Sequence, residues 1–222
     1  MKKRLKVAVI GLGSFGSEIV KTLFNLGHEV VAIDNRKELV QAIQPYATIA
    51  VTLDATDKEA LEEAGLVNMD VCIVSIGEPM ETSILATLYA KELGVERVIV
   101  KATNDTHATI MKKIGADEII NPERDMAVRV AYKIASKNVF DITHFESGFS
   151  FIEIKAPDEL VGQTLIESRI RNKYGVFVVA IKKKNMDTPI IVPDPETPIE
   201  RDDILMLIGS KEAITKFQDK FS

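Results

Sequence analysis

The chain has no tryptophan, one cysteine and three histidines in 222 residues. One cysteine builds neither an intrachain disulfide framework nor a Cys-x-x-Cys zinc site. Cys72 sits inside the apolar run Val71-Cys72-Ile73-Val74, where it reads as a small buried hydrophobe. This usage fits a reducing compartment. His28, His107 and His144 are scattered, lack zinc-ligand spacing and read as structural. No Gly-x-Ser-x-Gly elbow occurs, so nucleophilic catalysis has no candidate and no catalytic residue is assigned. No apolar run approaches the ~20 residues that span a bilayer. Met1-Lys2-Lys3-Arg4 is basic, but a strand pattern follows at once with no cleavage site, so no signal peptide is expected. Positive charge is not in excess either: 28 Lys and Arg face 33 Asp and Glu, a formal net charge of −5. A nucleic-acid partner is therefore not expected.

What the chain does have stands at its start. Val7-Ala8-Val9-Ile10 runs into Gly11-x-Gly13-x-x-Gly16, an amphipathic stretch follows, and Asp34 closes a second apolar run, Val30-Val31-Ala32-Ile33. Strand, glycine turn, helix, strand and acid in this order form the dinucleotide-binding fingerprint. Gly11 permits the tight turn, Gly13 lets backbone approach a pyrophosphate, and Gly16 lets helix and strand pack closely. The helix N-terminus, with Ser14 and Phe15, offers N–H groups and a positive dipole end to phosphates. Asp34 can accept hydrogen bonds from both ribose hydroxyls. It would also repel a 2′-phosphate, which disfavours NADP.

Hydrophobic residues make up 46% of the chain, enough for a sizeable core, and the length allows one large domain or two small ones. Apolar runs at 6–10, 29–34, 48–52, 71–75, 97–101 and 118–120 alternate with helical patterns such as 59–64, 81–93 and 107–114. Continuous apolar strands in β-α-β succession predict a parallel sheet covered on both faces, a doubly wound Rossmann sheet of order 3-2-1-4-5-6. Gly27, Gly65, Gly94 and Gly115 each follow a helical segment as stops. A helix over 125–137 then has no strongly apolar strand after it. The remainder reads as a smaller α+β lobe, with strands at 149–156, 176–182, 190–192 and 204–208 and a closing helix at 211–221. Prolines at 189, 193, 195 and 198 mark irregular connections. The expected boundary lies near residue 140, giving lobes 1–140 and 141–222, with 125–137 as crossover or hinge.

In a doubly wound sheet the carboxyl ends of the strands face the ligand crevice. Asp54 and Thr56 follow the third strand there, and Thr56 suits a helix N-cap as well as a ligand contact. Ser75 and Gly77 end the fourth strand at the switch point. Lys101 ends the fifth, either neutralising phosphate charge or snorkelling from a strand end. Arg36 stacks on adenine, grips a 2′-phosphate, or is simply a solvated arginine at a helix start. Glu123, after Pro122, is a carboxylate suited to a first helical turn.

These residues resemble an RCK domain (regulator of conductance of potassium) of the KtrA/TrkA kind, over essentially the whole chain. The resemblance rests on the glycine fingerprint, Asp54-Ala55-Thr56 with Leu61 and Gly65 following, Val74-Ser75-Ile76-Gly77, and Ile114-Gly115-Ala116-Asp117 ahead of Ile120-Asn121-Pro122-Glu123-Arg124-Asp125-Met126. In the tail it rests on Ile170-Arg171-Asn172-Lys173-Tyr174-Gly175 and Arg201-Asp202-Asp203-Ile204-Leu205. It implies a cytoplasmic gating-ring subunit, attached to the inner membrane face through a potassium-translocating partner. It implies homodimers assembling into an octameric ring that changes shape with the bound nucleotide. The implied nucleotide contacts run through Gly11, Gly13, Ser14, Phe15, Gly16, Asp34, Arg36, Asp54, Ala55, Thr56, Ser75, Ile76, Gly77 and Lys101, with Asp54 on adenosine. Ser14 departs from many KtrA-type relatives, which carry arginine there. That departure keeps ADP, AMP and NAD(H) open beside ATP. The resemblance also implies a magnesium or calcium ion at Glu123 between subunits. It implies a groove for cyclic di-AMP at Arg171, Tyr174, Ile191, Val192 and Pro193, where ordinary lobe packing is the simpler reading.

Two other functions fit the fingerprint alone. An NAD-dependent oxidoreductase needs an acid–base group facing the nicotinamide. The tail offers only His144 and Tyr174, and no Tyr-x-x-x-Lys pair occurs. A redox-sensing repressor needs a DNA-binding domain, which the five residues before the first strand leave no room for, and a basic surface.

Overall fold

The computed structural model describes residues 4–135, 138–145 and 147–221. The chain divides into two units, Met1–Glu123 and Arg124–Ser222. In the first, the strands β1 (Lys6–Ile10), β2 (Glu29–Asp34), β3 (Ile49–Thr52), β4 (Val71–Val74), β5 (Arg97–Lys101) and β6 (Glu118–Ile120) form one sheet of order β3-β2-β1-β4-β5-β6. All pairs are parallel, as the apolar runs predict. Alternate residues enter different cores. Ala8, Ile10, Ile33, Cys72 and Val74 pack on one side, and Val7, Val9, Val30, Ala32 and Ile73 on the other. Burial on both faces is why these strands read as unbroken hydrophobic runs. It also pushes the Cys72 thiol up to about 12, which leaves it inert.

Helices α1 (Ser14–Asn25), α2 (Lys37–Ile43), α3 (Lys58–Glu63), α4 (Met80–Glu92) and α5 (Asp105–Ile114) connect these strands. The register sets Ile10 beside Ile33 and Val74, and Asp34 beside Thr52. The carboxyl ends therefore share one edge, with the order reversing between β1 and β4. Helix α6 (Pro122–Ala135) runs across the division between the units, and the expected helix end at Ser136 and Lys137 lies outside the described residues.

The second unit holds β7 (Val139–His144), β8 (Phe149–Lys155), β9 (Phe177–Lys182), β10 (Ile190–Ile191) and β11 (Ile204–Ser210) in the antiparallel order β10-β9-β11-β8-β7. Two short helices, α7 (Leu165–Ser168) and α8 (Ile170–Tyr174), precede β9, and α9 (Lys211–Phe221) closes the chain. Ile152, Ile154, Leu205, Leu207, Ile214 and Phe217 form its core. β7 is a strand that the expectation of no apolar strand after the crossover helix does not contain. It is an edge strand: Val139 and Ile142 are buried while Phe140 and His144 are exposed, so it lacks a continuous apolar run.

Candidate functional site

A cleft of about 530 Å³ opens at the carboxyl edge of the parallel sheet, inside the first unit. Its size suits a nucleotide-sized ligand. Of the expected residues, Gly11, Gly13, Ser14, Phe15, Asp34, Arg36, Asp54, Ala55, Ser75, Ile76, Gly77 and Lys101 line it. The sequence reading did not single out Asn35, Leu53, Glu78, Pro79 and Thr82, which also line it. Glu78 and Pro79 form the turn into α4 directly after the expected Gly77, and Thr82 stands in that helix's first turn, so position past a strand end was the available signal.

The glycines divide the work of the turn. Gly11 adopts φ +96, and a Cβ there would stand 3.0 Å from the Ile76 nitrogen. A Cβ on Gly16 would stand 2.0 Å from the Gly11 carbonyl oxygen, so helix and strand approach as closely as the motif requires. Gly13 has nothing within 4 Å of where its Cβ would be, and the turn is open above it. That open cradle, at the N-terminus of α1, fits a pyrophosphate. Ser75 is 6% exposed and its Oγ has no hydrogen-bond partner among the described residues. A buried hydroxyl left unpaired at a cleft wall fits a polar ligand group that completes it.

Asp34 is held hard. Leu12 N–H donates to its Oδ2 at 2.7 Å and Arg36 N–H to its Oδ1 at 2.9 Å. The Arg36 guanidinium adds Nε to Oδ1 at 3.0 Å and Nη2 to Oδ2 at 3.1 Å. Burial pushes the Asp34 carboxyl up, but these hydrogen bonds outweigh it and hold the group below its ordinary value. Arg36 is raised in turn, by its hydrogen bond to Asp34. Arg36 is therefore exposed but not free: its guanidinium is committed to the acid two residues before it.

Asp54 accepts from Thr56 N–H at 2.9 Å and from the Thr56 hydroxyl at 2.8 Å. This turn lowers the Asp54 carboxyl, mainly through the backbone bond. The capping reading of Thr56 is corrected: Asp57 is the N-cap of α3, accepting from Ala60 N–H at 3.1 Å. Asp54 ties Thr56 into the loop, and the next residue takes the cap.

Lys101, which lines the cleft, donates from Nζ to Glu123 Oε1 at 2.8 Å. The lysine is 13% exposed and the glutamate 65%. The lysine's hydrogen bond lowers the Glu123 carboxyl more than burial raises it. No cluster of three metal-ligating side chains occurs among the described residues. A cation at Glu123 would need ligands from beyond these residues, and it would compete with Lys101 for the carboxylate.

The histidines hold structure together. His28 Nδ1 accepts from Leu5 N–H at 3.2 Å, His107 Nδ1 lies 3.3 Å from Thr103 N, and His144 Nδ1 lies 2.7 Å from Ser150 Oγ. In the second unit the residues of the expected second groove have separate settings. The Arg171 guanidinium lies 4.6 Å from the Phe177 ring centroid, and the Tyr174 ring packs 5.3 Å from Phe217 and 5.4 Å from Phe221. Pro193 is buried, while Ile191 is exposed.

The parallel sheet, its glycine turn and the acid ending β2 define a Rossmann-type domain, followed by an antiparallel α+β lobe. Residues 7–122 match the TrkA-N domain and residues 150–222 the TrkA-C domain. The chain belongs to this TrkA family, in its Ktr potassium uptake branch. It is 45% identical to Ktr system potassium uptake protein C of Bacillus subtilis, covering 99% of this chain and 98% of that protein. It is 38% identical to Ktr system potassium uptake protein A of the same organism, over 98% and 97% of the two chains. Among solved structures, the GsuK channel matches all of this chain with a TM-score of 0.70 at 15% identity. The chain spans 40% of that channel's length, and the likeness is one of fold.

Proposed function

We propose that this protein is the nucleotide-sensing regulatory subunit of a potassium uptake system, acting in the cytoplasm on a membrane-embedded translocating subunit. The observation that carries this is the built cleft: a cradle open above Gly13, an oriented carboxylate at Asp34, and Lys101 in the same lining. Near-full-length kinship to Ktr potassium uptake proteins supplies the biological setting. No helix among the described residues is long and apolar enough to cross a membrane, which fits a partner doing the translocation.

ATP, ADP and NAD(H) all present the ribose diol and phosphates that these residues suit. A ligand shifts a conformational equilibrium only by its preference for one state. Here the preference arises where phosphate and Glu123 compete for Lys101. Glu123 stands at the second position of α6, so this exchange bears on the helix that leaves the first unit. A divalent ion bridging phosphate and the released Glu123 would strengthen it. Helix α6 exposes Met126 (53%), Val130 (47%) and Ile134 (78%) at four-residue spacing, a stripe suited to a second copy in a ring of dimers. A role for Arg171, Tyr174, Ile191 and Pro193 in holding a cyclic dinucleotide has less support, because Tyr174 is turned onto Phe217 and Phe221.

An oxidoreductase role is disfavoured by the kinship to potassium uptake proteins along the whole chain. The test is light scattering of the full chain with and without ATP, ADP and NADH in magnesium. A nucleotide-responsive octamer supports the reading, and a nucleotide-insensitive monomer removes it.

A further inference from the structure

A carboxylate has about four acceptor positions on its two oxygens, and the chain itself fills all four on Asp34. Leu12 N–H and Arg36 Nη2 take Oδ2, and Arg36 N–H and Nε take Oδ1. Two of these donors are backbone, fixed by the glycine turn and the start of α2. The other two belong to one guanidinium, on a side chain that is 55% exposed while the Asp34 side chain is 4% exposed. A ribose diol that donates to Asp34 finds no open acceptor until that guanidinium leaves.

We propose that Arg36 is an internal competitor for the ribose subsite: it holds the two acceptor positions that a ligand's vicinal hydroxyls use, and every ribose ligand must displace it. This rests on the nucleotide reading of the cleft. The backbone at Arg36 is extended (φ −93, ψ 112), so side chains two apart lie on one side of the chain and the fork meets its carboxylate without strain. The exchange leaves both backbone donors in place, and they keep Asp34 oriented while its partner changes.

Competition of this kind has a signature. The apparent affinity equals the intrinsic one multiplied by the fraction of molecules with the subsite open. That fraction is the same for adenosine, AMP, ADP and ATP, whatever lies beyond the ribose. Truncating Arg36 therefore tightens all four by one common factor. An arginine on the phosphates would give losses that grow with phosphate number. An arginine stacked on adenine would give a uniform loss. An arginine gripping a 2′-phosphate would make wild-type protein hold 2′-AMP best.

Calorimetric titration of the full chain and of Arg36→Ala with these four ligands and 2′-AMP separates the cases, with Arg36→Gln as a milder second variant. The expected result is about three- to tenfold tighter binding of the four by Arg36→Ala, since a half-exposed pair is partly screened. Arg36→Gln falls between, and 2′-AMP stays weak throughout. Neutral adenosine binds wild type more tightly as sodium chloride rises, and Arg36→Ala shows no such rise. Unchanged or weaker nucleotide binding by Arg36→Ala, with wild-type binding intact, overturns the competitor role alone. Failure of both proteins to bind any of these ligands overturns the cleft reading and the competitor with it.

Discussion

Lys101 Nζ stands 2.8 Å from Glu123 Oε1, joining the end of β5 to the first turn of α6 at one wall of the cleft. The lysine is the more buried partner and its ammonium faces the same space as Gly77, whose Cβ position lies 3.8 Å away. On the proposed reading, a phosphate entering that space would take the lysine from the glutamate.

The first prediction follows from that pair. Lys101→Met leaves adenosine binding unchanged and weakens ATP by about tenfold, the worth of one charge-assisted hydrogen bond of roughly 1.5 kcal/mol. Titration along the series adenosine, AMP, ADP, ATP checks it. An equal loss for adenosine would place Lys101 outside the phosphate site.

Asp34→Ala removes the acceptor for both ribose hydroxyls. At roughly 1.5 kcal/mol or more for each hydrogen bond to a charged group, less the roughly three- to tenfold that displacing Arg36 already costs the wild type, every ribonucleotide loosens by at least about tenfold. Asp34→Asn keeps an acceptor for Leu12 N–H, so its melting temperature reports whether lost binding reflects lost folding.

Gly16 and Gly13 separate packing from ligand contact. Gly16→Ala puts a methyl 2.0 Å from the Gly11 carbonyl oxygen, and the fold loses about 3 kcal/mol or more, the upper end of overpacking costs. Gly13→Ala has open space on all sides, so its urea midpoint stays within experimental error of wild type while nucleotide affinity falls. Urea denaturation and titration on both variants distinguish the roles.

His107 sets a pH dependence of stability. The side chain is fully buried, its Nε2 has no hydrogen-bond partner among the described residues, and burial holds its pKa below the ordinary value. The unfolded chain then takes up a proton at a pH where the folded chain does not. Stability is therefore complete above the unfolded histidine value and declines as pH falls through it, from about 7 to 5. His144, lowered by burial and by Lys211, adds to the same slope. His107→Gln lowers stability at every pH but flattens that slope, which thermal melts across the range read directly.

The parallel strands and the glycine turn were legible because burial on both faces and close backbone approach leave marks on every residue involved. Val7 to Ile10 and Val30 to Ile33 can be little else. β7 was not legible, since Val139 and Ile142 are separated by residues that face outward. The commitment of Arg36 to Asp34 needs a side-chain geometry, and its one mark in the sequence is that two residues apart in extended backbone share a side. Asp57 hid as a cap beside Thr56 because both side chains suit the role and only the Asp54 turn decides between them. The capping box of Thr164 and Glu167 was readable as Thr-x-x-Glu, though α7 was not expected. The packing of Tyr174 against Phe217 and Phe221, more than forty residues away, leaves no local mark in the sequence.

The central claim is that occupancy of the cleft between Gly11 and Asp34 governs potassium movement. Rubidium flux into proteoliposomes holding the membrane subunit, with this protein added alongside ATP, ADP or no nucleotide, tests it most directly. Flux is predicted to differ among the three conditions with wild-type protein and to become independent of nucleotide with Asp34→Ala. Identical flux in all three conditions with wild-type protein, or an undiminished nucleotide response with Asp34→Ala, would contradict the account.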